Sequence, residues 1–478
     1  MVKVPNWING QEVETSDWLS KLNPATEDVL WQVAKFGAKE VHDAVSAAQS
    51  AQPSWANTPP VSRGDMLHKI ANAMEATKAE IAEIVHLETG KSMKDALGEV
   101  DGSVKLARFF AGEGQRFFGR TTTSGTPNRT AHIIRQPIGV VGLIAAANTP
   151  IANISWKIFP ALICGNAAVF KSSEDTPRTS WIVGRIAKEC GLPEGVLNII
   201  QGLGAEAGQA LVEDQRVGAV SFTGSTAVGI KIGEVCAKRL AKCSLELGGK
   251  NPFVVCNDAN LDKAVHWALL SAFSNAGQRC ASASRIIVEK SIYDDFKHAF
   301  VARTKSLQVG TADTDDLGPV INERQLNSMS KSVSDAVDQG AKLLSGGQRD
   351  RETGFFMQPT VLEGVDIQAE IGQRELFGPI AILYKAENYS HALELANSSD
   401  YGLTACIHTQ NINQAWHFVH NVRAGVASIN AATFGSEPHM PFGGVGLSGN
   451  GSREPGPEAM DFYTNLKNIL VQMEPDLL

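Results

Sequence analysis

The sequence predicts an α/β protein built from two doubly wound parallel-sheet units with an extended β-strand arm. Three observations carry this reading. From Gly139 onward, the strand-like runs GVVGLIAAAN, AAVFKSS and GVLNIIQG alternate with the helix-like segments Ile154–Cys164 and Thr179–Cys190; strands that are apolar throughout belong to sheets covered on both faces. Beyond Gly249 the alternation resumes with NPFVVC, a helix over Leu261–Asn275, SRIIVEK and a helix over Ile292–Ser306. The length of 478 residues is two to three times a common domain size, enough for two or three domains.

The elements follow in order from local signals. WINGQEV places Asn9-Gly10 between apolar residues, which predicts a two-residue hairpin. NPATEDVLWQVA reads as a turn and a strand, followed by helices over Ala38–Ala51, Arg63–Thr77 and Ala79–Glu88, the last stopped by Gly90, and by a helix over Ser103–Phe118. TTTSGTPNRTAHIIR, 121–135, is polar and extended and predicts an arm leaving the main body. In the second unit a helix over Glu323–Gln339 precedes strands in AKLLSGG, FFMQPTVLEGV and PIAILYKAEN. Helices over Ala392–Ser398 and Ile412–Asn421, the strand GVASIN and the alternating β-like DFYTNLKNILVQ complete the chain.

Composition excludes several classes of function. A net charge of −8 and a pI near 5.8 provide no basic field for nucleic acid or anionic lipid. The N-terminus has no charged-then-apolar signal pattern, and the run Gly139–Ala147 falls far short of the roughly 18 residues of a membrane helix, so a cytoplasmic location is expected. Seven cysteines without a CxxC or Cys/His cluster suit reduced thiols, and Cys164, Cys190, Cys236, Cys243, Cys256 and Cys406 read as packing residues. Eleven histidines form no HxxxH or HxH group, so no metal site is expected.

The chemistry concentrates in residues 244–285. Glu246 in ELGGK lies 34 residues before Cys280 in NAGQRC, which pairs a base with a nucleophile. A cysteine attacks only as thiolate, so such a site needs a proton acceptor or positive field nearby. Upstream, Lys171 and Glu174 of KSSE stand three residues apart at a strand end, where a carboxylate accepts hydrogen bonds from ribose hydroxyls and repels a 2′-phosphate; this favours NAD over NADP. Gly202, Gly204 and Gly208 have GxGxxxG spacing, and GSTAVG at 224–229 keeps outer glycines at Gly224 and Gly229. Either glycine pattern also suits an ordinary βα turn.

ELGGKNPFVV followed by NAGQRCASASR resembles the signature pair of the NAD(P)-dependent aldehyde dehydrogenase superfamily. The likeness extends from NPATEDV through KSSE, FTGS, ELGGK, GQRC and ELFGP to PFGG, in family order. It implies Cys280 as nucleophile, Glu246 as the base that activates the hydrolytic water, and Asn148 as an oxyanion donor beside the Cys280 backbone amide. It implies cofactor contacts from Ile144, Lys171, Glu174, Gly204, Gly208, Phe222, Gly224, Ser225, Gly229, Leu247, Glu375 and Phe377. Thr149, Arg279, Phe434, Glu437 and His439 are expected along the substrate passage; Arg279 either attracts a carboxylate-bearing semialdehyde or forms a structural ion pair. The resemblance also implies domains: 1–118 with 137–247 for cofactor, 248–447 for catalysis, and 119–136 with 448–478 as an oligomerisation arm that makes a dimer or tetramer. One departure stands out, because Ala146-Ala147 precede Asn148 where relatives carry bulkier residues, which leaves room in the passage. A CoA-acylating relative, a thiol hydrolase and a non-catalytic binding protein on this fold are the alternatives. Retained Glu246 favours hydrolysis over CoA transfer, and no histidine adjoins Cys280 in sequence as a thiol hydrolase would have it.

Overall fold

The computed structural model describes residues 2–474. Asn9 and Gly10 both take positive φ, 52° and 70°, and turn strand Asn6–Ile8 back on Gln11–Val13, the hairpin that an Asn-Gly pair predicts. That hairpin is the edge of a seven-stranded sheet. Its other members, Leu197–Ile200, Ala167–Lys171, Val140–Ile144, Val217–Thr223 and Lys242–Glu246, run parallel in that spatial order. Strand order reverses between Val140–Ile144 and Val217–Thr223, so a crevice opens beyond the carboxyl ends of those two strands. Helices Pro150–Ile163 and Pro177–Glu189 cover the sheet, and the central strands are buried along their length.

A second seven-stranded sheet holds Thr360–Glu363, Ile380–Ala386, Ala283–Glu289, Asn251–Val255, Thr404–His408 and Val426–Ile429 in parallel, with Lys342–Ser345 antiparallel at one edge. Its core is separate from that of the first sheet: Val254, Ile287 and Ile382 pack on one face, Phe253, Ile286 and Leu383 on the other. A third sheet pairs Thr464–Gln472 with Arg129–Pro137 over nine residues and adds Arg120–Thr123. Of the 448–478 stretch assigned to the arm, Thr464–Gln472 pairs in this sheet, whereas residues 448–454 lie against the first sheet: Ser448 O accepts the Leu247 amide at 3.0 Å.

Several helices extend past their expected ends. The helix expected over Ser103–Phe118 spans Met93–Glu113, because Ser92 caps it by accepting the Asp95 amide at 3.1 Å, and Gly98 and Gly102 are tolerated inside a helix held by packing. Helix Ala38–Asn57 runs through Pro53, and the next begins at Pro60. Strands Val217–Thr223 and Lys242–Glu246 with helix Thr226–Lys238 between them complete the first sheet, a βαβ unit that the sequence reading did not delimit. No helix among the described residues is long and apolar enough to cross a membrane.

Candidate active site

Sheet register sets the first wall of the site. Ile144 is paired with Lys171 on one side and Phe222 on the other, and Thr223 with Glu246, so these residues form a row at the carboxyl edge of the first sheet. Thr223, Gly224 and Ser225 follow at the reversal point and line a cavity of about 820 Å³. Ser225 precedes helix Thr226–Lys238 without making a side-chain capping bond, which leaves first-turn amides of that helix to other acceptors.

The second sheet supplies the thiol from its amino edge. Helix Leu261–Phe273 ends in a turn where Asn275 and Ala276 take φ of 54° and 52°, a left-handed pair that costs an alanine of order 1 kcal/mol and here redirects the chain into Gln278-Arg279-Cys280. The loop is pinned on every side. Gln278 Oε1 accepts the Ile321 amide at 2.9 Å and its Nε2 donates to Pro319 O at 3.2 Å. Asn251 Nδ2 donates to Cys280 O at 2.7 Å and Ser282 O at 2.8 Å, and Thr433 Oγ1 donates to Ala281 O at 2.6 Å. The paired glycines of ELGGK allow this convergence: a Cβ at Gly249 would lie 2.6 Å from Cys280 O, and one at Gly248 would lie 2.1 Å from Glu375 Oε2. Burial pushes the Cys280 thiol up to about 12; the Glu375 and Glu246 carboxylates add to this, and the Ala281 amide and Arg279 oppose it. The thiol at rest is therefore protonated.

Glu246 lines the same cavity, is 5% exposed, and neither carboxyl oxygen has a hydrogen-bond partner. Burial raises its pKa well above the usual carboxylate range, Glu454 adds to the rise, and Lys157 and Arg453 oppose it. Behind it lies a buried polar group: Lys157 Nζ donates to Ser221 Oγ at 2.6 Å and to Glu454 Oε2 at 3.0 Å, and Ser221 and Ser244 donate to Glu454 Oε1 at 2.5 and 3.2 Å. Breaking such a pair costs about 3–5 kcal/mol, because the remaining ion is left buried and alone.

Asn148 faces the thiol loop from the first sheet. Its Nδ2 donates to Gln278 O at 2.8 Å, and its Oδ1 accepts Asn153 Nδ2 at 3.0 Å, so the amide is oriented toward the loop that carries Cys280. Arg279 also lines the cavity, its guanidinium 4.8 Å from the Phe434 ring centroid. Its Nε is buried without an acceptor, burial lowers its pKa, and Asp95 and Glu99 act on it through space.

The cavity brings together Asn148, Thr149, Gly224, Ser225, Glu246, Leu247, Arg279, Cys280, Glu375, Phe377, Phe434 and Glu437. Glu375 is half-buried; desolvation raises its pKa to about 7, opposed by the Gly249 amide, which donates to Oε1 at 3.1 Å, and by Lys250. Phe377 holds φ of 57°. Ile144, Lys171, Glu174, Phe222 and Gly229 stand outside the cavity lining, along the same sheet edge or on the helix after it. Lys171 Nζ donates to Glu174 Oε2 at 3.0 Å; burial pushes the Glu174 carboxyl up, but Lys171, its hydrogen bonds and Arg324 together hold it below the usual range. A Cβ at Gly229 would lie 2.4 Å from Leu247 Cδ2, so the helix seats tightly against the end of strand Lys242–Glu246. Gly204–Gly208 forms one wide helical turn after strand Leu197–Ile200. His439 is exposed, 3.9 Å from Glu437, and lies outside the lining.

Sequence reasoning missed Asn251, Gln278 and Thr433, which fix the Cys280 backbone, and the Lys157–Glu454 pair. A signal existed for Lys157, the one cation within the apolar run NISWKIFPALI; Glu454 offered none. Among the described residues no group of His, Cys, Asp or Glu is arranged to hold a metal ion.

Comparison with known proteins places this geometry in context. The model of the aldehyde dehydrogenase family matches residues 7–469. Alpha-ketoglutaric semialdehyde dehydrogenase of Bacillus subtilis (strain 168) is 37% identical over 476 residues, 98% of each chain. A crystal structure of betaine aldehyde dehydrogenase from Staphylococcus aureus in complex with NAD+ superposes with a TM-score of 0.97 at 32% identity, covering 99% of this chain and 96% of that one. An E. coli NADP-dependent enzyme superposes with a TM-score of 0.96 at 33% identity, covering 99% and 98%.

Proposed function

The chain belongs to the aldehyde dehydrogenase family, and on that premise we propose that it oxidises a carboxylate-bearing semialdehyde to the dicarboxylic acid with NAD as oxidant. The observation that carries the proposal is the convergence of the Cys280 thiol, the buried Glu246 carboxyl, the Asn148 amide and the Arg279 guanidinium on one cavity.

The residues present fit a dinucleotide. The uncapped N-terminus of helix Thr226–Lys238 at the strand-order reversal suits a pyrophosphate. Glu174, kept ionised beside Lys171, suits ribose hydroxyls and disfavours a 2′-phosphate. Glu375 and Phe377 border the cavity near Cys280 and suit the nicotinamide ribose and its ring. When bound, the nicotinamide supplies the hydride acceptor.

The chain's own groups account for the remaining chemistry. Cys280 gives its proton to the ionised Glu246 carboxylate, which passes it on to solvent, and its sulfur adds to the aldehyde carbon, forming a thiohemiacetal. Asn148 Nδ2 and the Cys280 backbone amide stabilise the oxygen that becomes negative, each donor worth about 3 kcal/mol. Loss of hydride leaves a thioester on Cys280. Glu246, once ionised, takes a proton from water as that water attacks the thioester carbonyl; the acid leaves and the Cys280 sulfur regains a proton. Lys157 and Arg453 favour the ionised carboxylate, while burial and Glu454 oppose it, so the base works on the alkaline side of the usual carboxylate range.

Arg279 provides the substrate class. A guanidinium that lines the passage beside Phe434 suits a carboxylate, and the relative from Bacillus subtilis is named for a semialdehyde that bears one. Comparing kcat/KM for straight-chain aldehydes with and without a terminal carboxylate, with and without CoA, tests the reading. Arg279→Met is expected to cost the carboxylate-bearing substrates roughly 10- to 100-fold more than neutral aldehydes, the worth of one charged hydrogen bond, beyond the loss both share because Arg279 no longer opposes the rise of the Cys280 thiol. Equal losses for both classes, or CoA-dependent turnover, would refute it.

The exposed strand Thr464–Gln472, with Leu466 62% and Leu470 56% exposed, supports assembly as a homodimer or a dimer of dimers through this arm, and its seven free cysteines suit a cytoplasmic enzyme. The sheets support a cofactor domain drawn from residues up to 247 and a catalytic domain from 248 to 447.

A further inference from the structure

Lys91 and Glu99 take no part in the chemistry above, yet both border the cavity and both side chains are buried, 6% and 7% exposed. Glu99 stands on helix Met93–Glu113 and faces the start of helix Pro150–Ile163. Its Oε1 accepts the amides of Ile151 at 2.9 Å and Ala152 at 3.2 Å, where the helix's own Thr149 makes no side-chain cap. Its Oε2 accepts Lys91 Nζ at 2.5 Å, and the same ammonium donates to the backbone oxygen of Asn148 at 3.1 Å. Asn275 Nδ2, on the turn that leads into the thiol loop, donates to that oxygen at 3.3 Å.

Asn148 is therefore held at four points: its backbone oxygen by Lys91 and Asn275, its Oδ1 by Asn153, its Nδ2 by the Gln278 oxygen, and the peptide that follows it by the helix turn that Glu99 caps. These contacts restrict different motions. The Lys91 bond holds the Asn148 peptide oxygen, the Glu99 cap holds the helix end that follows that peptide, and the Asn153 and Gln278 bonds hold the side-chain torsion.

We propose that Lys91 and Glu99 are positioning residues that hold Asn148 Nδ2 where the oxygen of the thiohemiacetal forms. The proposal rests on the reading of Asn148 as an oxyanion donor. Its physical basis is that a donor displaced by about 1 Å loses roughly 100-fold in rate, and Lys91 and Glu99 bond directly to the Asn148 oxygen and to the first amides of the helix that follows it. Charge matters because Glu99 has two jobs: a neutral acceptor at 99 satisfies the helix amides, but only a carboxylate also holds the buried Lys91 ammonium against the Asn148 oxygen.

Glu99→Gln separates those jobs, since its amide oxygen still caps Ile151 and Ala152 while the grip on Lys91 is lost. The test is a double-mutant cycle of Glu99→Gln and Asn148→Ala in the full-length enzyme. Its readouts are the single-turnover NADH burst with aldehyde and the acylation burst with an activated phenyl ester, which needs the oxyanion donors and no hydride transfer. Asn148→Ala is expected to slow both bursts by about 100- to 1,000-fold, and Glu99→Gln by about 10- to 100-fold, with NAD affinity within about twofold of wild type. The double variant should be no slower than Asn148→Ala alone, because the positioned group is already gone. Should Glu99→Gln fail to fold, Lys91→Met enters the cycle in its place, and Lys91→Arg, which keeps both contacts, is expected to restore the burst to within about threefold. A Glu99→Gln burst at the wild-type rate, or the same fractional loss in both backgrounds, overturns the positioning role. A wild-type burst in Asn148→Ala overturns instead the oxyanion reading on which it rests.

Discussion

Glu246→Gln separates the two halves of the proposed reaction. The carboxyl is buried, without a hydrogen-bond partner, and that burial holds it well above its usual pKa. Exchanging it for a neutral amide of the same size introduces no buried charge and removes no hydrogen bond, and the stability change is expected to stay under about 1 kcal/mol, read as Tm. Deacylation has no substitute base, and its rate is expected to fall by about 100- to 10,000-fold. The variant should thus release up to one NADH per site and stall with acyl-Cys280, detectable by mass spectrometry of the quenched enzyme. In the wild type, deacylation should rise with pH through a midpoint above the ordinary carboxylate range, because the ionised form is the base; in the variant that rise should vanish. Because Glu246 also receives the Cys280 proton, the burst should slow and recover toward alkaline pH, since the thiol is held up near 12. Wild-type turnover in Glu246→Gln without acyl-enzyme would remove this residue from the mechanism.

Cys280→Ser is expected to abolish dehydrogenase turnover while NAD affinity, read by fluorescence quenching, stays near wild type; substantial residual turnover would refute the nucleophile. Glu174→Thr should raise the NADP-to-NAD ratio of kcat/KM roughly tenfold, about 1.4 kcal/mol for one like charge removed near the 2′ position. A wild type that uses both cofactors equally would refute the gate. Leu466→Asp with Leu470→Asp places two charges on the exposed strand of the arm and should release protomers in light scattering after size exclusion; an unchanged mass would place the subunit contact elsewhere.

Three parallel strands of the first sheet were legible because they sit under helices on both faces, and such strands must be apolar at every position: Val140–Ile144 and Ala167–Lys171 are buried almost throughout. Helix ends were less legible. Gly98 and Gly102 weaken the local helical signal of Met93–Glu113, yet Val100, Val104, Ala107 and Ala111 bury the face that keeps those turns helical. The arm's final strand carried a clear β alternation, but residues 448–454 beside it carried no signal for lying against the first sheet. Glu454 bonds Ser221, 233 positions away, and no local pattern records a contact of that separation.

The site itself divides along the same line. Residues that do chemistry were legible because they sit in motifs whose glycines admit close approach: Gly248 and Gly249 leave room for Glu375 and the Cys280 carbonyl, and any side chain there would push the three loops apart. Residues that hold those motifs in place were not, because each acts across a long gap in the chain. Asn251 grips the Cys280 loop from the neighbouring strand, Lys157 reaches Glu454 over 297 positions, and Glu99 reaches the helix that begins at Pro150. The thiol adds a topological reason: it stands at the amino edge of the second sheet, facing the carboxyl edge of the first, so the rule that places ligands beyond carboxyl ends locates half of the site and says nothing of the nucleophile. Only the packing of one sheet edge against the other brings Cys280 to Glu246 and Asn148, and the bonds that cross it, Asn148 Nδ2 to Gln278 O and Asn275 Nδ2 to Asn148 O, join residues about 130 positions apart that no local pattern links.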